Sequence, residues 1–406
     1  MVFEAAVTGI GMITPAGPTT EETWARVLRG ESLARRDPVL AGLPVDHSCH
    51  IDDLDPLAAH GRRLARRLDR FTRLALTAAR QAAADAKLEA GAPDPTRIGV
   101  VLGVGSNSLE TYAREFGLLD REQPTRVSPL ALPRSVPSSA AAEVAIDLGL
   151  RGPNFTVSSA CASGATALGV ARDLLASGAC DIILAGGSES GRSRMTATCF
   201  TQLHALSRNP DLRAASRPFD TGRDGFVLSE GAAVLVLEHP DHALARGART
   251  RALLRGYAAT SDAHHPVAPH PDGGGAEQAL RAALLQAGCA PADIGHVNAH
   301  GTSTPAGDAA EAKALLRTFG GTPPPVTAAK SILGHCLGAS GAVEAALSVL
   351  TLEHQTIPPT ANLTRQEPGL ELDVVTGAPR PASLNAVVSN SFGFGGQNTV
   401  LVLTTP

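Results

Sequence analysis

The segment VSSACASGATALGVARDLL, Val157 to Leu175, sets one cysteine among small residues, with an apolar-periodic run directly behind it. NFTVSSA, ahead of Cys161, is extended in character, with β-branched Thr156 and Val157. SGATALGVARDLLASG, behind it, has helical periodicity and reaches Gly178 near its end. Cys161 is therefore expected on a strand-to-helix turn. The tetrapeptide ASGA at 162–165 returns at 339–342, where it again opens a helical pattern, VEAALSVLTL. Gly-rich sequence and then VLVL follow each copy, at Val234 to Leu237 and at Val400 to Leu403. Two motifs in the same order and context predict duplicated halves, 1–250 and 251–406, with the boundary near Gly247 to Gly256.

The rest of the chain alternates short apolar runs with Ala-rich helical stretches. IGVVLGV (98–104), DIILAGG (181–187), AAVLVLE (232–238) and TVLVL (399–403) read as buried strands. LARRLDRFTRLALTAARQAAADA (64–86) and GAEQALRAALLQAG (275–288) read as helices. Such alternation predicts an α/β fold with covered sheets. The 406 residues are 43% hydrophobic and 18% charged, as suits a globular protein with a sizeable core. A net charge of -4 gives no global argument for nucleic acid or an anionic membrane. The six cysteines include no CxxC pair, which argues against a zinc site or a disulfide framework and for free thiols in a reducing compartment. MVFEAAVTGIGMITPAG lacks the basic region of a signal peptide, and no apolar run is long enough to span a membrane. A cytoplasmic protein is expected.

Unpaired N–H groups and the dipole at a helix start would stabilise a Cys161 thiolate and lower its pKa. A small buried cysteine packing the turn is the alternative. A nucleophile needs partners, and two histidines stand in Gly-rich surroundings: His300 in VNAHGTSTPAGDAAEAKAL and His335 in AAKSILGHCLGASGAVEAAL. His335 precedes the second ASGA helix as Cys161 precedes the first, so pseudo-symmetry would turn both towards one cleft. The spacing of His296 and His300 hints at a metal, but the strand-like VNAH and the want of a carboxylate argue against one. NSFGFGGQN, Asn390 to Asn398, can bring backbone N–H groups to an oxyanion, or can simply turn the chain before the last strand. GIGMITPAG and GVGSNS do not complete a dinucleotide fingerprint.

SSACASGA, VNAHGTSTPAGD, KSILGHCLGASGAVEA and NSFGFGGQN together resemble the signature segments of the β-ketoacyl synthases, the condensing enzymes of fatty acid and type II polyketide synthesis. AASRPFDTGRDGFVLSEGA and IPPTANL fit as well, and the resemblance runs from about Val7 to Leu403. It implies a thiolase-like fold of two pseudo-symmetric halves in α-β-α-β-α layers, with a Cys161–His300–His335 site. It implies acyl transfer from a carrier-protein phosphopantetheine to Cys161, decarboxylation of malonyl-carrier protein, and carbon–carbon bond formation, with no bound cofactor. In that scheme the N–H groups of Cys161 and Phe394 hold the oxyanion, and both histidines donate to the malonyl thioester oxygen. Lys330 and Glu344 support the histidines, Thr302 and Thr304 line the pantetheine channel, and Phe394 and Phe200 flank the entrance.

Two departures lean towards a secondary-metabolite ketosynthase rather than a housekeeping synthase. Gln397 stands where Thr is usual, and Ser106 stands at an acyl-pocket position that is often larger and apolar. Arg66, Arg67 and Arg70 of RRLARRLDR form a basic row suited to an acidic carrier protein, although such a row is also an ordinary solvated face. The resemblance implies a dimer, either with itself or with a chain length factor. A thiolase is disfavoured because FGFGGQN carries no second cysteine. A non-catalytic partner subunit is disfavoured by the presence of Cys161, His300 and His335 together.

Overall fold

The computed structural model describes residues 3–406 apart from 53–60, 62–63, 65–66, 89–93 and 107. Ten strands form one hydrogen-bonded sheet. They are β1 (Ala5–Ile13), β2 (Ile98–Gly103), β3 (Asn154–Val157), β4 (Ile182–Ser190), β5 (Glu230–Glu238), β6 (Ala252–Ser261), β7 (His296–Asn298), β8 (Val326–Thr327), β9 (Ala386–Gly393) and β10 (Gln397–Thr404). Their spatial order is β8-β7-β9-β10-β6-β1-β5-β4-β2-β3. Read outward from the middle, the order β1-β5-β4-β2-β3 repeats as β6-β10-β9-β7-β8. Strand directions repeat as well: β5 is antiparallel to β1 and β4, as β10 is to β6 and β9, and the outer pairs are parallel. The two groups of five meet where β1 pairs with β6 over only Ala5–Val7 and Ala252–Leu254. The strands read from sequence all form; β4, β5 and β10 extend beyond the apolar runs because polar ends such as Glu230 and Thr404 are also buried.

Six helices fill the layers: α1 (Arg70–Asp85), α2 (Ser138–Leu148), α3 (Ser163–Ala176), α4 (Gly274–Ala287), α5 (Pro305–Thr318) and α6 (Ser340–His354). One apolar cluster joins α1 and α2 to the outer face of the first group of strands, with Leu74, Ala78, Val144 and Leu184. A second joins α4 and α5 to the second group, with Leu280, Leu284, Leu315 and Val388. The largest lies between the groups and is built on α3 and α6, with Leu168, Leu175, Val343 and Leu350. The stack is thus α-β-α-β-α. A helix between two sheets must be apolar on every side, and every residue of α6 from Ser340 to Leu352 is buried. The helix expected over 64–86 is interrupted at Leu68 and Asp69: Leu64 and Arg67 are helical, and α1 starts afresh at Arg70. Its cap, Asp69, is extended, and the Asp69 carboxylate accepts from Thr111 Oγ1 at 2.9 Å, which draws the chain out of helical line. The helix expected over 275–288 runs one residue earlier and ends on Gly288 in left-handed geometry.

The two ASGA motifs are the starts of α3 and α6, and they meet. A Cβ on Gly164 would lie 2.8 Å from the Ala342 nitrogen, and one on Gly341 would lie 2.8 Å from the Ala165 nitrogen. Each helix start therefore rests its glycine against the backbone of the other. A branched side chain here must separate the two. Gly164→Val is expected to destabilise the fold by about 3 kcal/mol through overpacking, measured as a lowered urea midpoint; an unchanged midpoint would show that the contact is not tight.

Candidate active site

Cys161 sits in a short turn, Ala160–Ala162, that leads from β3 into α3. Ala160 has φ +50, and Leu337 has φ +48 in the matching turn before α6. Aligning the two ASGA motifs makes Leu337 the counterpart of Ala160 and Gly338 the counterpart of Cys161. His335 thus corresponds to Ser158, three residues earlier, and is not the positional twin of Cys161. Both still reach one cleft, lined by Cys161, His300, His335, Phe394, Phe200, Thr302 and Thr304 among others.

NSFGFGGQN forms the β9–β10 hairpin, in which Gly393 pairs with Gln397 and Gly395 and Gly396 take left-handed φ values of +83 and +71. A Cβ on Gly393 would lie 2.6 Å from the Ser159 carbonyl oxygen, so this strand end is pressed against the cysteine turn. The backbone N–H groups of Phe394 and of Cys161 itself both reach the Cys161 sulfur. Two converging N–H donors at a nucleophile are the geometry that holds an oxyanion. The oxyanion and turn readings of this segment therefore describe the same hairpin.

His300 lies in the loop after β7. The Glu311 carboxylate, on α5, accepts the N–H groups of His300 and Gly301, both at 2.8 Å. Asn390 donates to the same carboxylate at 2.9 Å. Asp308 accepts from Ser303 N–H at 3.0 Å and Phe219 N–H at 2.8 Å. Lys330 Nζ donates to the His300 carbonyl at 2.7 Å, lies 3.3 Å from His300 Nδ1, and pairs with Glu344. An ammonium has no lone pair, so Nδ1 accepts and the ring proton sits on Nε2. His335 is fixed by its N–H to the Val227 carbonyl at 2.8 Å, and its Nδ1 lies 2.9 Å from Ser340 Oγ. With Nδ1 engaged by Ser340, Nε2 is the ring nitrogen left for the cleft. The two rings meet edge to face at 5.5 Å, and Phe226 and Phe392 pack on them.

Burial, then the Lys330 charge, holds both imidazoles well below the usual histidine range, so both are neutral donors. Burial pushes Glu344 and Asp308 up to about 7. The lowered pKa expected for Cys161 is reversed. Burial pushes the thiol up to about 11, and the opposing pull of Lys330 and the two N–H groups does not overcome it. The resting group is a thiol.

Other expectations are redirected. Ser106 does not line the cleft; its hydroxyl donates to buried Glu189 at 3.0 Å. Arg70 turns inward, donating to buried Glu230 at 2.5 and 2.7 Å and to the Ile51 carbonyl at 3.0 Å, which removes it from a carrier-facing set. Arg67 pairs with Glu143, and Arg66 lies outside the described residues. His296 turns to Thr327 Oγ1 at 2.8 Å, away from any shared ligation with His300. Among the described residues no cluster of three His, Cys, Asp or Glu could hold a metal.

Residues 3–243 match the family described as β-ketoacyl synthase, N-terminal domain, and residues 251–364 match the β-ketoacyl synthase C-terminal domain. The chain belongs to the β-ketoacyl synthase family. It is 40% identical over 409 aligned positions to a Staphylococcus aureus protein named 3-oxoacyl-[acyl-carrier-protein] synthase 2, covering 98% of this chain and 99% of that one. Among solved structures, it resembles the ishigamide ketosynthase/chain length factor with a TM-score of 0.93 and 34% identity over the whole of both chains. It also resembles a type II polyketide ketosynthase, bound to a hexaketide and in complex with its acyl-carrier protein, with a TM-score of 0.90 and 28% identity over the whole of both chains.

Several groups of this synthase site escaped sequence reasoning. Glu311 and Asp308 were visible only as acidic residues of a helix, seven and four positions after Thr304 along AGDAAEAKAL; nothing local shows that they fold back onto their own loop. The cleft mouth also takes in Asp262, which accepts from Asn398 Nδ2 at 2.8 Å and so ties its loop to the β9–β10 hairpin. A thiol pKa of about 11 has a direct consequence. Alkylation of Cys161 by iodoacetamide is expected to accelerate about tenfold per pH unit from 6 to 9, since only the thiolate reacts. A plateau near pH 7 would contradict it.

Proposed function

We propose that this chain catalyses the decarboxylative condensation of an acyl-enzyme thioester with malonyl-[acyl-carrier protein], in type II polyketide biosynthesis. The observation that carries this reading is the meeting, in one cleft, of the Cys161 sulfur under two backbone N–H groups with two neutral histidines. Cys161 attacks the acyl thioester of a carrier-bound phosphopantetheine. The bond to Cys161 forms first and gives a tetrahedral oxyanion; the C–S bond to pantetheine then breaks, and the thiol proton leaves with the pantetheine sulfur. The Cys161 and Phe394 N–H groups stabilise the tetrahedral oxyanion.

Malonyl-carrier protein then enters past Phe200 and Phe394, with its pantetheine arm along Thr302 and Thr304. The C–C bond to its carboxylate breaks, carbon dioxide leaves, and negative charge gathers on the thioester oxygen. His300 and His335 donate to that oxygen; neutral imidazoles can do so without first losing a proton to the malonyl carboxylate. The carbanion attacks the acyl carbonyl, a new C–C bond forms, and the Cys161–acyl bond breaks to release the thiolate, which takes a proton from water to restore the resting thiol. Lys330, Glu344, Glu311 and Asp308 position the histidines and are not themselves reacting groups.

Residues 1–250 and 251–406 act as the two halves of this machine: the first supplies Cys161 and the second His300, His335 and Phe394. The polyketide assignment is supported by the likeness to the ketosynthase/chain length factor and to the hexaketide-bound ketosynthase. Fatty-acid elongation by the same reaction is the second reading, favoured by 40% identity to the S. aureus synthase. A dimer, with itself or with a chain length factor, is supported by the edge strand β3, beside which Phe155 and Ile146 stand exposed at 36% and 67%. A cytoplasmic location fits six free thiols, and no helix among the described residues is long and apolar enough to cross a membrane. Intact-protein mass spectrometry with acyl-carrier proteins tests the nucleophile. An acyl adduct is expected on the wild type and not on Cys161→Ala; an adduct on Cys161→Ala would refute the assignment.

A further inference from the structure

Glu189, near the end of β4, is 2% exposed and has no role in the chemistry above. Its carboxylate accepts the N–H groups of Gly105 at 2.6 Å and Ser106 at 3.2 Å, the Ser106 hydroxyl at 3.0 Å, and the N–H of Gly338. Gly338 N–H is the counterpart of Cys161 N–H in the register set by the two ASGA motifs. The strands give the same correspondence from the other side. Val234 of the first VLVL pairs with Gly186, and Val400 of the second pairs with Asn390. Counting on from these partners, Glu189 corresponds to Gly393. A Cβ on Gly393 would lie 3.1 Å from the Cys161 nitrogen, and one on Gly338 would lie 2.8 Å from Glu189 Oε2.

Each half therefore builds the same cradle: a left-handed residue, a helix start with a free N–H, and the end of a facing strand. In the half containing Cys161 the facing strand brings a glycine, and the cradle opens on the cleft. In the other it brings a carboxylate, and the cradle is full. We infer that Glu189 is a built-in carboxyl group occupying the second copy of the oxyanion turn, and that it positions the Cys161 turn from there. The inference rests on the reading of the Cys161 and Phe394 N–H groups as the oxyanion donors.

The positioning is short-range. Gly105, held by Glu189, lies so close to the cysteine turn that a Cβ on it would sit 3.2 Å from the Ala160 carbonyl oxygen. Without the carboxylate, three N–H groups and a hydroxyl lose their acceptor beside that turn, and an unsatisfied buried donor is costly. Negative charge is also favoured at the start of α6 by the helix dipole. The difference between a working and a closed anion cradle is thus one residue, Gly393 against Glu189.

Glu189→Gly empties the second cradle, and formate is a probe small enough to enter it. The variant is expected to acylate Cys161 about tenfold more slowly, which corresponds to about 1.4 kcal/mol. Formate, against chloride at equal ionic strength, is expected to raise its Tm saturably and restore acylation, with no effect on the wild type. Glu189→Gln keeps the shape but turns amide hydrogens onto the donors. It is expected to slow acylation and to move the pH profile of Cys161 alkylation to lower pH. Lys330 and Glu189 are the charges acting on that thiol, and the neutral His300 and His335 share its cleft. A residue that merely fills space would not move the profile. The inference is overturned if Glu189→Gly responds to formate no more than to chloride, or if Glu189→Gln matches the wild type in both acylation and pH profile. Should Glu189→Gly not fold, the Gln comparison decides. The formate-dependent Tm reads Glu189 alone, so its outcome stands apart from whether Cys161 is the nucleophile.

Discussion

The crossing of two helix starts, Gly164 against Ala342 and Gly341 against Ala165, is the contact on which the rest of the molecule depends. It sets the distance between the two groups of strands, since α3 and α6 are the only layer between them among the described residues. It also places the turns at those helix starts side by side. One turn carries Cys161, and the segment leading to the other carries His335. The FGFGG hairpin closes over the first, and Glu189 closes over the second. A duplicated fold thereby becomes an asymmetric cleft, through a handful of substitutions around one pseudo-twofold axis.

The charges buried behind that cleft work against stability and for geometry. Lys330 and Glu344 are each 2% exposed, and taking such a pair from water costs several kcal/mol that its attraction only partly offsets. Its position explains its presence: Lys330 holds the His300 carbonyl and faces Nδ1, which leaves Nε2 as the proton-bearing edge. Glu311 grips the same loop from the other side. Burial and the Lys330 charge keep both rings neutral, so they can stabilise negative charge without a prior proton transfer. The same burial keeps Cys161 a thiol at rest, protected from adventitious alkylation until a thioester arrives.

Much of this was legible in the residues. The repeated ASGA and VLVL segments announced the halves, and the order and direction of five strands in each group repeat without exception. Cys161, His300, His335, Phe394, Thr302, Thr304 and Phe200 converge on one cleft, with Lys330 and Glu344 behind it. The failures share a cause. The raised Cys161 pKa, the inward turn of Arg70 to Glu230, and the capture of Ser106 by Glu189 all come from burial against residues far away in the chain. A helix start favours a thiolate and a basic row favours solvent, but desolvation and a distant carboxylate outweigh both local tendencies. The offset between Cys161 and His335 lies in the same repeat, since Cys161 stands one residue before its ASGA and His335 four before its own, and the left-handed φ values of Ala160 and Leu337 agree with that register.

The central claim is that an acyl group on Cys161 waits for a carbon nucleophile generated under His300 and His335. It is tested most directly by a single turnover. Enzyme pre-acylated on Cys161 and freed of excess donor is mixed with malonyl-carrier protein, and the masses of both proteins are followed. The account predicts stoichiometric loss of carbon dioxide and transfer of the whole acyl chain to the carrier as a β-ketoacyl thioester two carbons longer, with stable acyl-enzyme until malonyl-carrier protein is added. Release of the acyl group as free acid, with malonyl-carrier protein unchanged, would contradict it.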